Sequence, residues 1–245
     1  MDNSQLAGED KENYVHSVFE DIAPKYDFMN DLTSFRFHKM WRKKAMKKLG
    51  VKPGSAAIDI CCGTADWTMD LANCSKTGRV VGLDFSASML AIGRVKLDKS
   101  ALEAVELVEG NAMELPFPDD SFDYATIGFA LRNVPDVKQV LREMERVVKP
   151  GGKVASLELS KPTLPVFKSL YYFYFYKILP ILGKVFAGSY EQYAWLPTSL
   201  TNFPDRKELA AIFAEVGLIN IEVYSLTGGI AAIHIGEKRV TEDGV

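Results

Sequence analysis

The sequence predicts an α/β fold built on a doubly wound, mostly parallel sheet. The first observation is an apolar run that begins after Pro53–Gly54, carries one acidic residue, breaks at Gly63–Thr64 and gives way to helical periodicity from Asp66, the pattern of a strand, a tight loop and a helix. The second is a series of further apolar strands, several of which end in polar residues. The third is a pair of closing strands joined at Thr227–Gly229, which is the signal of an antiparallel hairpin.

The remaining elements are predicted from helical periodicity and from short apolar runs. A solvated tail is expected over residues 1–11, then a helix over residues 14–22 and a second helix from the caps Thr33 and Ser34 to Leu49, with Gly50 after its end. The other predicted helices are one that begins at Asp66 and those over residues 137–148 and 205–216. The other predicted strands are residues 79–84, 105–108, 122–128, 154–159, 219–226 and 230–235.

The loop after the first strand is not a dinucleotide fingerprint. The three glycine positions of such a fingerprint are occupied here by Cys61, Gly63 and Asp66, so only the middle glycine remains. The loop instead offers carboxylates at Asp59 and Asp66. Carboxylates repel phosphates and suit a cationic ligand, which argues against a nicotinamide dehydrogenase on a similar sheet.

The second predicted strand supplies another part of the ligand-binding pattern, an acidic residue at its end. Asp84 ends that strand 21 positions after Gly63, close to the offset of about 20 residues at which an acidic side chain accepts hydrogen bonds from ribose hydroxyls. A lone aspartate at this place is more often an ordinary polar strand end. The ordered set of a ribose acceptor, a loop without a phosphate cradle and a cationic ligand points to S-adenosylmethionine. We therefore expect a class I S-adenosylmethionine-dependent methyltransferase of Rossmann-like fold, with a seven-stranded sheet and a C-terminal antiparallel hairpin.

Composition and charge narrow the class of partner. The chain of 245 residues, with 47% hydrophobic and 25% charged residues, is long enough for one α/β domain with an insertion. A net charge of -3 gives no reason to expect a nucleic-acid partner. The three cysteines lack metal-ligand spacing, and we interpret adjacent Cys61 and Cys62 as small buried residues rather than metal or redox groups. No apolar signal core is seen at the N-terminus, which favours a cytoplasmic protein.

The predicted organisation has four parts. Residues 1–50 form an N-terminal helical cap over the active site, and residues 51–161 together with 203–237 form the methyltransferase core. Residues 162–202 form an aromatic helical insertion, and residues 238–245 form a tail. On composition alone, the favoured reading of this segment is instead a helical pair packed on the sheet edge, with His38 a satisfied polar residue.

The insertion carries a dense aromatic and apolar stretch at residues 164–188. Lys168, Lys177 and Lys184 interrupt it, so the stretch has too few consecutive uncharged residues to span a membrane. A helix that is apolar on most sides must be covered by protein, by an apolar ligand or by lipid. Packing inside the protein, contact with an apolar substrate and peripheral contact with the inner face of the membrane all stay open.

Two long motifs carry a resemblance to a known family. Residues 26–30, followed by Ser34, His38 and Trp41, resemble the first signature of the ubiquinone/menaquinone biosynthesis C-methyltransferases. Residues 146–152, followed by Glu158 and Ser160, are similar to the second. Shorter matches at residues 59–64, 110–117, 131–134, 228–229 and 234–236 extend the resemblance over nearly the whole chain.

The resemblance implies a reaction and a set of contacts. The reaction is C-methylation of a polyprenyl quinol, 2-demethylmenaquinol to menaquinol, with the equivalent polyprenyl benzoquinol of ubiquinone biosynthesis as the alternative. The cofactor contacts fall on Thr64, Asp84, Asn111 and Ala112, to which the loop itself adds Asp59 and Gly63. A homodimer is kept as an open alternative, and no metal is required because the sulfonium is already a strong methyl donor.

The chemistry assigns further candidate residues. A ring hydroxyl with a pKa near ~10 costs ~4 kcal/mol to ionise at neutral pH, and nearby positive charge offsets part of that cost. Arg132 is the candidate for that charge, although a surface ion pair is an equal alternative. His38, Asp66 and Tyr26 are unranked candidates for the proton acceptor, with Asn133 orienting. A non-catalytic quinone- or adenosylmethionine-binding protein is the rival of another class.

Overall fold

The computed structural model describes residues 8–102, 104–162, 165–182, 184–185 and 199–240. Within these residues, seven strands form one sheet in the order β3-β2-β1-β4-β5-β7-β6. The strands are β1 Ala57–Ile60, β2 Val80–Asp84, β3 Val105–Glu109, β4 Phe122–Gly128, β5 Val148–Leu159, β6 Ile219–Leu226 and β7 Ala231–Glu237. The first five run parallel, and β7 is antiparallel to both β5 and β6. The predicted sheet and its closing hairpin are confirmed.

Helices lie before, between and after these strands. They are α1 Gly8–Ile22, α2 Tyr26–Thr33, α3 Phe37–Leu49, α4 Asp66–Ser75, α5 Ala87–Asp98, α6 Val137–Val147, α7 Pro165–Phe173, α8 Leu179–Leu182 and α9 Arg206–Glu215. A π-helical turn at Tyr174–Ile178 joins α7 to α8. We call residues 165–182 the aromatic segment.

The core lies on both faces of the sheet because the central strands are covered on both sides. Every residue of β1 and of β2 is buried, as expected for parallel strands with helices on each face. On one face, Ile58 packs in a cluster with apolar residues of α6 and α9. On the other face, Ala57 packs with α3 and α4, including Trp41.

The parallel register places three strand ends side by side. Ile60 of β1 pairs with Leu83 of β2 and with Ile127 of β4. Asp84 and Gly128 are the next residues of their strands, so both lie beside the loop that follows β1. This is the sheet edge at which a ligand site is expected.

The N-terminal region differs from the prediction in two respects. Helix α1 begins at Gly8, inside the predicted tail. Its first turn is polar and acidic and carries no apolar periodicity, so the sequence pattern does not reveal it. Thr33 and Ser34 do not cap the next helix. They end α2, which the sequence analysis missed, and Ser34 Oγ donates to the carbonyl of Asn30 (2.6 Å). Left-handed backbone at Phe35 and Arg36 then turns the chain into α3.

The predicted insertion over residues 162–202 falls partly outside the described residues. The aromatic segment, residues 184–185 and residues 199–202 are described, and the rest is not. The same holds for residues 1–7 and for 241–245 of the predicted tail. In the part of the chain that is described, none of the helices is both long and apolar enough to cross a bilayer.

Candidate active site

A cleft opens at the carboxyl ends of β1, β2 and β4, and we call it the strand-end cleft. It is roofed by α1 and floored by the loops that follow the strands. Four of the predicted cofactor residues line it, namely Gly63, Asp84, Asn111 and Ala112. Apolar side chains flank them, including Phe85, Met89, Met113 and Val134.

Asp84 is the fixed acceptor of this cleft. Its Oδ2 accepts a hydrogen bond from the backbone N–H of Gly63 (2.7 Å), and its Oδ1 accepts one from Ser86 (2.9 Å). Burial raises the pKa of Asp84, and these backbone hydrogen bonds oppose that rise. Each carboxylate oxygen has a second lone pair, so the side chain still accepts hydrogen bonds from a ligand's hydroxyl groups.

Asp59 supports the loop from below instead of lining the cleft. It is 1% exposed and accepts hydrogen bonds from the hydroxyls of Thr68 and Thr126, both at 2.8 Å. Burial raises the pKa of Asp59 to about 7, against the effect of these two hydroxyls. The loop above it turns through left-handed backbone at Cys61, Gly63 and Ala65.

Thr64 and Asp66 belong to an ion-pair network outside the cleft lining. Thr64 Oγ1 donates to Asp27 Oδ1 (2.6 Å), and Lys96 Nζ donates to Asp27, Thr64 and Asp66. Arg42 Nη1 lies 3.2 Å from Asp66 Oδ2. Burial opposes ionisation, but the pairs with Lys96 and Arg42 outweigh it and lower the pKa of Asp66. A carboxylate held by two cations is a poor proton acceptor, so the geometry disfavours Asp66 as the base.

Helix α1 is tied to the core by polar contacts along its length. Lys11 Nζ donates to the carbonyl of Val134 (2.6 Å), and Glu12 Oε1 accepts from Asn111 (3.0 Å). Glu20 accepts from the hydroxyls of Ser86 and Ser88, at the N-terminus of α5. These contacts hold the N-terminal segment over the strand-end cleft, as a cap would require.

A second cavity of about 620 Å³ lies beyond the cleft, and we call it the cap cavity. Its walls come from α1, α2, α3, the loop after β4 and the aromatic segment. Most of the lining is apolar or aromatic, with a few polar groups. Its volume and lining are typical of a site for an apolar small molecule.

Five residues line both the strand-end cleft and the cap cavity, and we call them the shared wall. They are Val15, Phe19, Tyr26, Phe129 and Asn133. Two of them, Tyr26 and Asn133, are predicted catalytic residues. Burial raises the pKa of Tyr26, so its hydroxyl stays protonated at neutral pH.

Arg132 lines the cap cavity and is not on the surface. Its side chain is 9% exposed, and Nη1 donates to the carbonyl of Phe129 and lies 3.5 Å from Glu158 Oε2. Glu158 is 1% exposed, and its Oε1 accepts from the backbone N–H groups of Ala130 (2.8 Å) and Leu131 (2.9 Å). Burial raises the pKa of Glu158 to about 7, against the positive charge of Arg132. Arg132 therefore does form an ion pair, but the pair is buried beside the cavity and does not lie on the surface, where that alternative placed it.

His38 also lines the cap cavity, and its Nδ1 lies 2.6 Å from Ser34 Oγ. Ser34 Oγ also donates to the Asn30 carbonyl (2.6 Å), an arrangement that favours the tautomer in which Nδ1–H of His38 donates to Ser34. In that tautomer Nε2 carries the lone pair that can accept a proton. The Nε2 atom lies 3.5 Å from Asp31 Oδ1. Burial is the largest cause of the lowered pKa of His38, which keeps the ring neutral at pH 7.

The strand-end cleft fits the cofactor that the sequence analysis implies. It combines a buried carboxylate at a strand end with apolar side chains and an amide at Asn111. Those groups match a ribose, an aromatic base and its polar edge. Asp84 and Asn111 would hold the group, and Ala112 and Phe85 would pack against it.

Sequence reasoning missed several residues that build this site. Lys96, Glu20 and Tyr171 were not singled out, and Glu158 appeared only as part of a motif. The Lys96 and Glu20 contacts join positions 30 or more residues apart in sequence, so no local spacing marks them. Tyr171 gave only the signal of an unusually aromatic helix.

Known relatives share most of the length of this sequence. The chain is 56% identical over 233 residues to a demethylmenaquinone methyltransferase of Bacillus cytotoxicus, covering 95% of this chain and 98% of that protein. A demethylmenaquinone methyltransferase of Halalkalibacterium halodurans is 55% identical over 232 residues, covering 94% and 95%.

Solved structures show the same fold at much lower identity. A SAM-dependent methyltransferase of Thermotoga maritima superimposes with a TM-score of 0.64 at 17% identity, covering 92% of this chain and all of that one. The model of the ubiE/COQ5 methyltransferase family matches residues 7–238. With that match over nearly its whole length, the chain belongs to the ubiE/COQ5 methyltransferase family.

Proposed function

We propose that this protein is the S-adenosylmethionine-dependent C-methyltransferase that converts 2-demethylmenaquinol to menaquinol. The observation that carries the proposal is the shared wall between a polar strand-end cleft and a larger apolar cavity. Two compartments that meet at one wall suit a transfer between a water-soluble donor and an apolar acceptor. The names of the relatives at 55–56% identity support a naphthoquinol acceptor over the benzoquinol alternative.

The cap cavity aligns the acceptor, and this alignment is the protein's main contribution. S-adenosylmethionine, when bound, supplies an electrophilic methyl group on a sulfonium. The ring carbon is a poor nucleophile until a neighbouring hydroxyl loses its proton, at a cost of ~4 kcal/mol at neutral pH. The charge of Arg132, in a site shielded from water, lowers that cost.

His38 is the proton acceptor that the geometry favours. Its Nε2 carries a free lone pair, and Asp31 beside it stabilises the ring once it is protonated. Tyr26 keeps its proton and is a donor, while Asp66 lies outside both cavities and is held by cations. Asn133, on the shared wall, orients the acceptor ring toward the strand-end cleft.

One assay tests the proposed function. Purified protein is incubated with methyl-labelled S-adenosylmethionine and either reduced demethylmenaquinone or the reduced demethylated benzoquinone precursor. We expect label in menaquinol, bound to a ring carbon, at a rate at least about tenfold above that of the benzoquinol. Label in neither product would reject methyl transfer to quinols, and faster labelling of the benzoquinol would replace the proposed acceptor.

Asp84→Ala is expected to weaken S-adenosylmethionine binding by about 10–100-fold, because a charged acceptor to two hydroxyls is lost. Isothermal titration calorimetry measures the change. Asp59→Asn is the matched control, since Asp59 is a buried carboxylate of the neighbouring strand β1 that does not line the cleft. An affinity that Asp84→Ala leaves unchanged would remove Asp84 from the site.

We also propose that the mouth of the cap cavity faces a membrane surface. Four residues line the cavity and are also exposed, and we call them the mouth patch: Phe35, Phe37, Phe173 and Ile178. Phe35 of the α2–α3 turn lies against Tyr174 of the aromatic segment, with ring centroids 6.0 Å apart. The patch therefore joins two elements around one opening, through which a polyprenyl tail would pass.

Two exposed cations adjoin the mouth patch in sequence and would fit anionic lipid, although Arg36 Nε also lies 3.5 Å from Asp31 Oδ2. The side chain of Arg36 is 71% exposed between Phe35 and Phe37, and Lys177 is exposed beside Ile178. Exposed aromatic and aliphatic side chains with neighbouring cations are the composition of interfacial membrane contacts.

Removing two aromatic rings of the mouth patch is expected to weaken membrane binding. The double variant Phe35→Ser, Phe173→Ser should lower the fraction that co-sediments with anionic phosphatidylglycerol vesicles by about tenfold, from the lost apolar burial. Val95→Ser is the control, because Val95 is 51% exposed on α5 and does not line the cap cavity. Wild-type protein that stays in the supernatant would contradict the membrane proposal.

A further inference from the structure

Two buried hydrogen-bond donors of the cap cavity have no partner among the described residues. They are Nε of Arg132 and the hydroxyl of Tyr171. The side chain of Arg132 is 9% exposed, Tyr171 is 6% exposed, and both line the cap cavity. A buried donor without an acceptor costs about 1–3 kcal/mol, so two at one cavity call for a ligand that satisfies them.

The two donors come from different elements but act on one another. Arg132 lies in the loop after β4, and Tyr171 lies in α7. Burial raises the pKa of Tyr171, and the positive charge of Arg132 opposes that rise. Both side chains therefore line the same cavity within electrostatic range of one another, and the hydroxyl keeps its proton at neutral pH.

The ring of Tyr171 is held in place by its neighbours. Its centroid lies 4.3 Å from that of Phe175 and 5.6 Å from that of Tyr172. Met29 of α2 packs in the same cluster and joins the aromatic segment to the cap. A fixed ring gives its hydroxyl a fixed position, as a preorganised donor requires.

We propose that the Tyr171 hydroxyl and Arg132 Nε together bind the ionised ring oxygen of the quinol, the oxygen next to the carbon that is methylated. The proposal rests on the proposed function for the identity of the acceptor, and it assigns to Tyr171 direct contact with the substrate.

The chemistry of the pair selects an anion. Arg132 is a donor only, and Tyr171 is protonated, so the pair offers one N–H group, one O–H group and the positive charge of Arg132, which Glu158 3.5 Å away balances in part, to a single oxygen. Donors in a water-poor site stabilise developing negative charge more strongly than water does. Asn133, the residue after Arg132, lines the shared wall, so an oxygen bound by the pair leaves its ring beside the strand-end cleft.

A coloured naphthol tests the pair without methyl transfer. 4-Nitro-1-naphthol, whose absorbance changes on ionisation, is bound to wild-type protein, to Tyr171→Phe and to Tyr172→Phe, each with S-adenosylhomocysteine present. Tyr172 is the control, because it lies on the same helix and does not line the cap cavity. Each bound probe is titrated with pH.

We expect the bound probe to have a pKa below that of the free probe in wild-type protein. Tyr171→Phe should raise it by about one unit, a tenfold loss of the ionised form, since one donor to the anion is gone. Tyr172→Phe should leave it within about 0.3 units. The thermal stability of Tyr171→Phe should not fall, because the change removes an unpartnered hydroxyl and keeps the ring.

Two results would overturn the donor pair: failure of the probe to bind, or the same bound pKa in Tyr171→Phe and wild-type protein. The quinol methylation assay runs in parallel and separates the two proposals. Wild-type protein that shifts the probe but labels no quinol would refute the proposed function and leave the aryl-oxide pair standing. Quinol labelling without any effect of Tyr171→Phe on the bound pKa of the probe or on the methylation rate would refute the donor pair and leave the proposed function standing.

Discussion

Replacing Arg132 with alanine is expected to lower the turnover of quinol methylation by about 100–1,000-fold, the cost of losing one preorganised group that stabilises developing negative charge. Arg132 lines the cap cavity and not the strand-end cleft. The affinity for S-adenosylmethionine should therefore change by less than about threefold. Single-turnover rates and calorimetry on the same preparation separate the two quantities.

Arg132→Lys and added guanidinium are the controls for this prediction. Lysine keeps the charge but loses the planar fork that contacts the Phe129 carbonyl and Glu158, so we expect a rate between those of wild-type protein and the alanine variant. Guanidinium ions should restore part of the rate of Arg132→Ala. A variant that loses cofactor affinity while keeping its turnover would make Arg132 a binding residue instead.

Glu158→Ala is expected to destabilise the fold by about 3–5 kcal/mol, because it leaves a buried guanidinium without its counter-charge. It also leaves the backbone N–H groups of Ala130 and Leu131 without their acceptor. Those residues begin the loop that carries Arg132 and Asn133, so catalysis should fall with stability. Urea unfolding followed by circular dichroism measures the loss.

Glu158→Gln is the matched variant and adds a pH dependence. The pKa of Glu158 rises from its ordinary 4.5 to about 7 in the folded protein, so folding takes up a proton between these values. Its contribution is fully present below pH 4.5 and is lost progressively as the pH rises to about 7. Glutamine has no proton to take up. The stability advantage of wild-type protein over Glu158→Gln should therefore shrink from pH 5 to pH 8, and an advantage that grows would contradict the assignment.

The sheet was predictable because its strands carry the signal locally. Strands β4 and β6 have the predicted bounds, 122–128 and 219–226, since a strand buried on one or both faces needs an apolar run or a strict alternation. The position of Asp84 was predictable for the same reason. A polar residue that ends a buried parallel strand lies at the sheet edge whatever the rest of the chain does.

The cap was less predictable because its structure depends on distant contacts. Helix α2 mixes aromatic and polar residues without a clear period, and its buried Met29 packs against Tyr171 and Phe175 of the aromatic segment. Thr33 and Ser34 have the composition of caps, and only the left-handed turn after them shows that they end a helix.

The site residues also divide into those marked by a local signal and those whose role depends on distant contacts. Residue type and position sufficed for Asp84, Asn111 and Ala112, which line the strand-end cleft. They did not separate a carboxylate that faces a ligand from one that faces the protein. Asp59 faces two threonines and Asp66 faces two cations, because partners far along the chain decide the matter.

A crystal structure with S-adenosylhomocysteine and a demethylmenaquinone analogue tests the two-compartment account most directly. We expect the ribose hydroxyls within hydrogen-bond distance of Asp84, the sulfur at the shared wall formed in part by Tyr26 and Asn133, and the quinone ring in the cap cavity with one oxygen at Arg132. An adenosyl group bound away from Asp84, or a ring outside the cap cavity, would contradict the account.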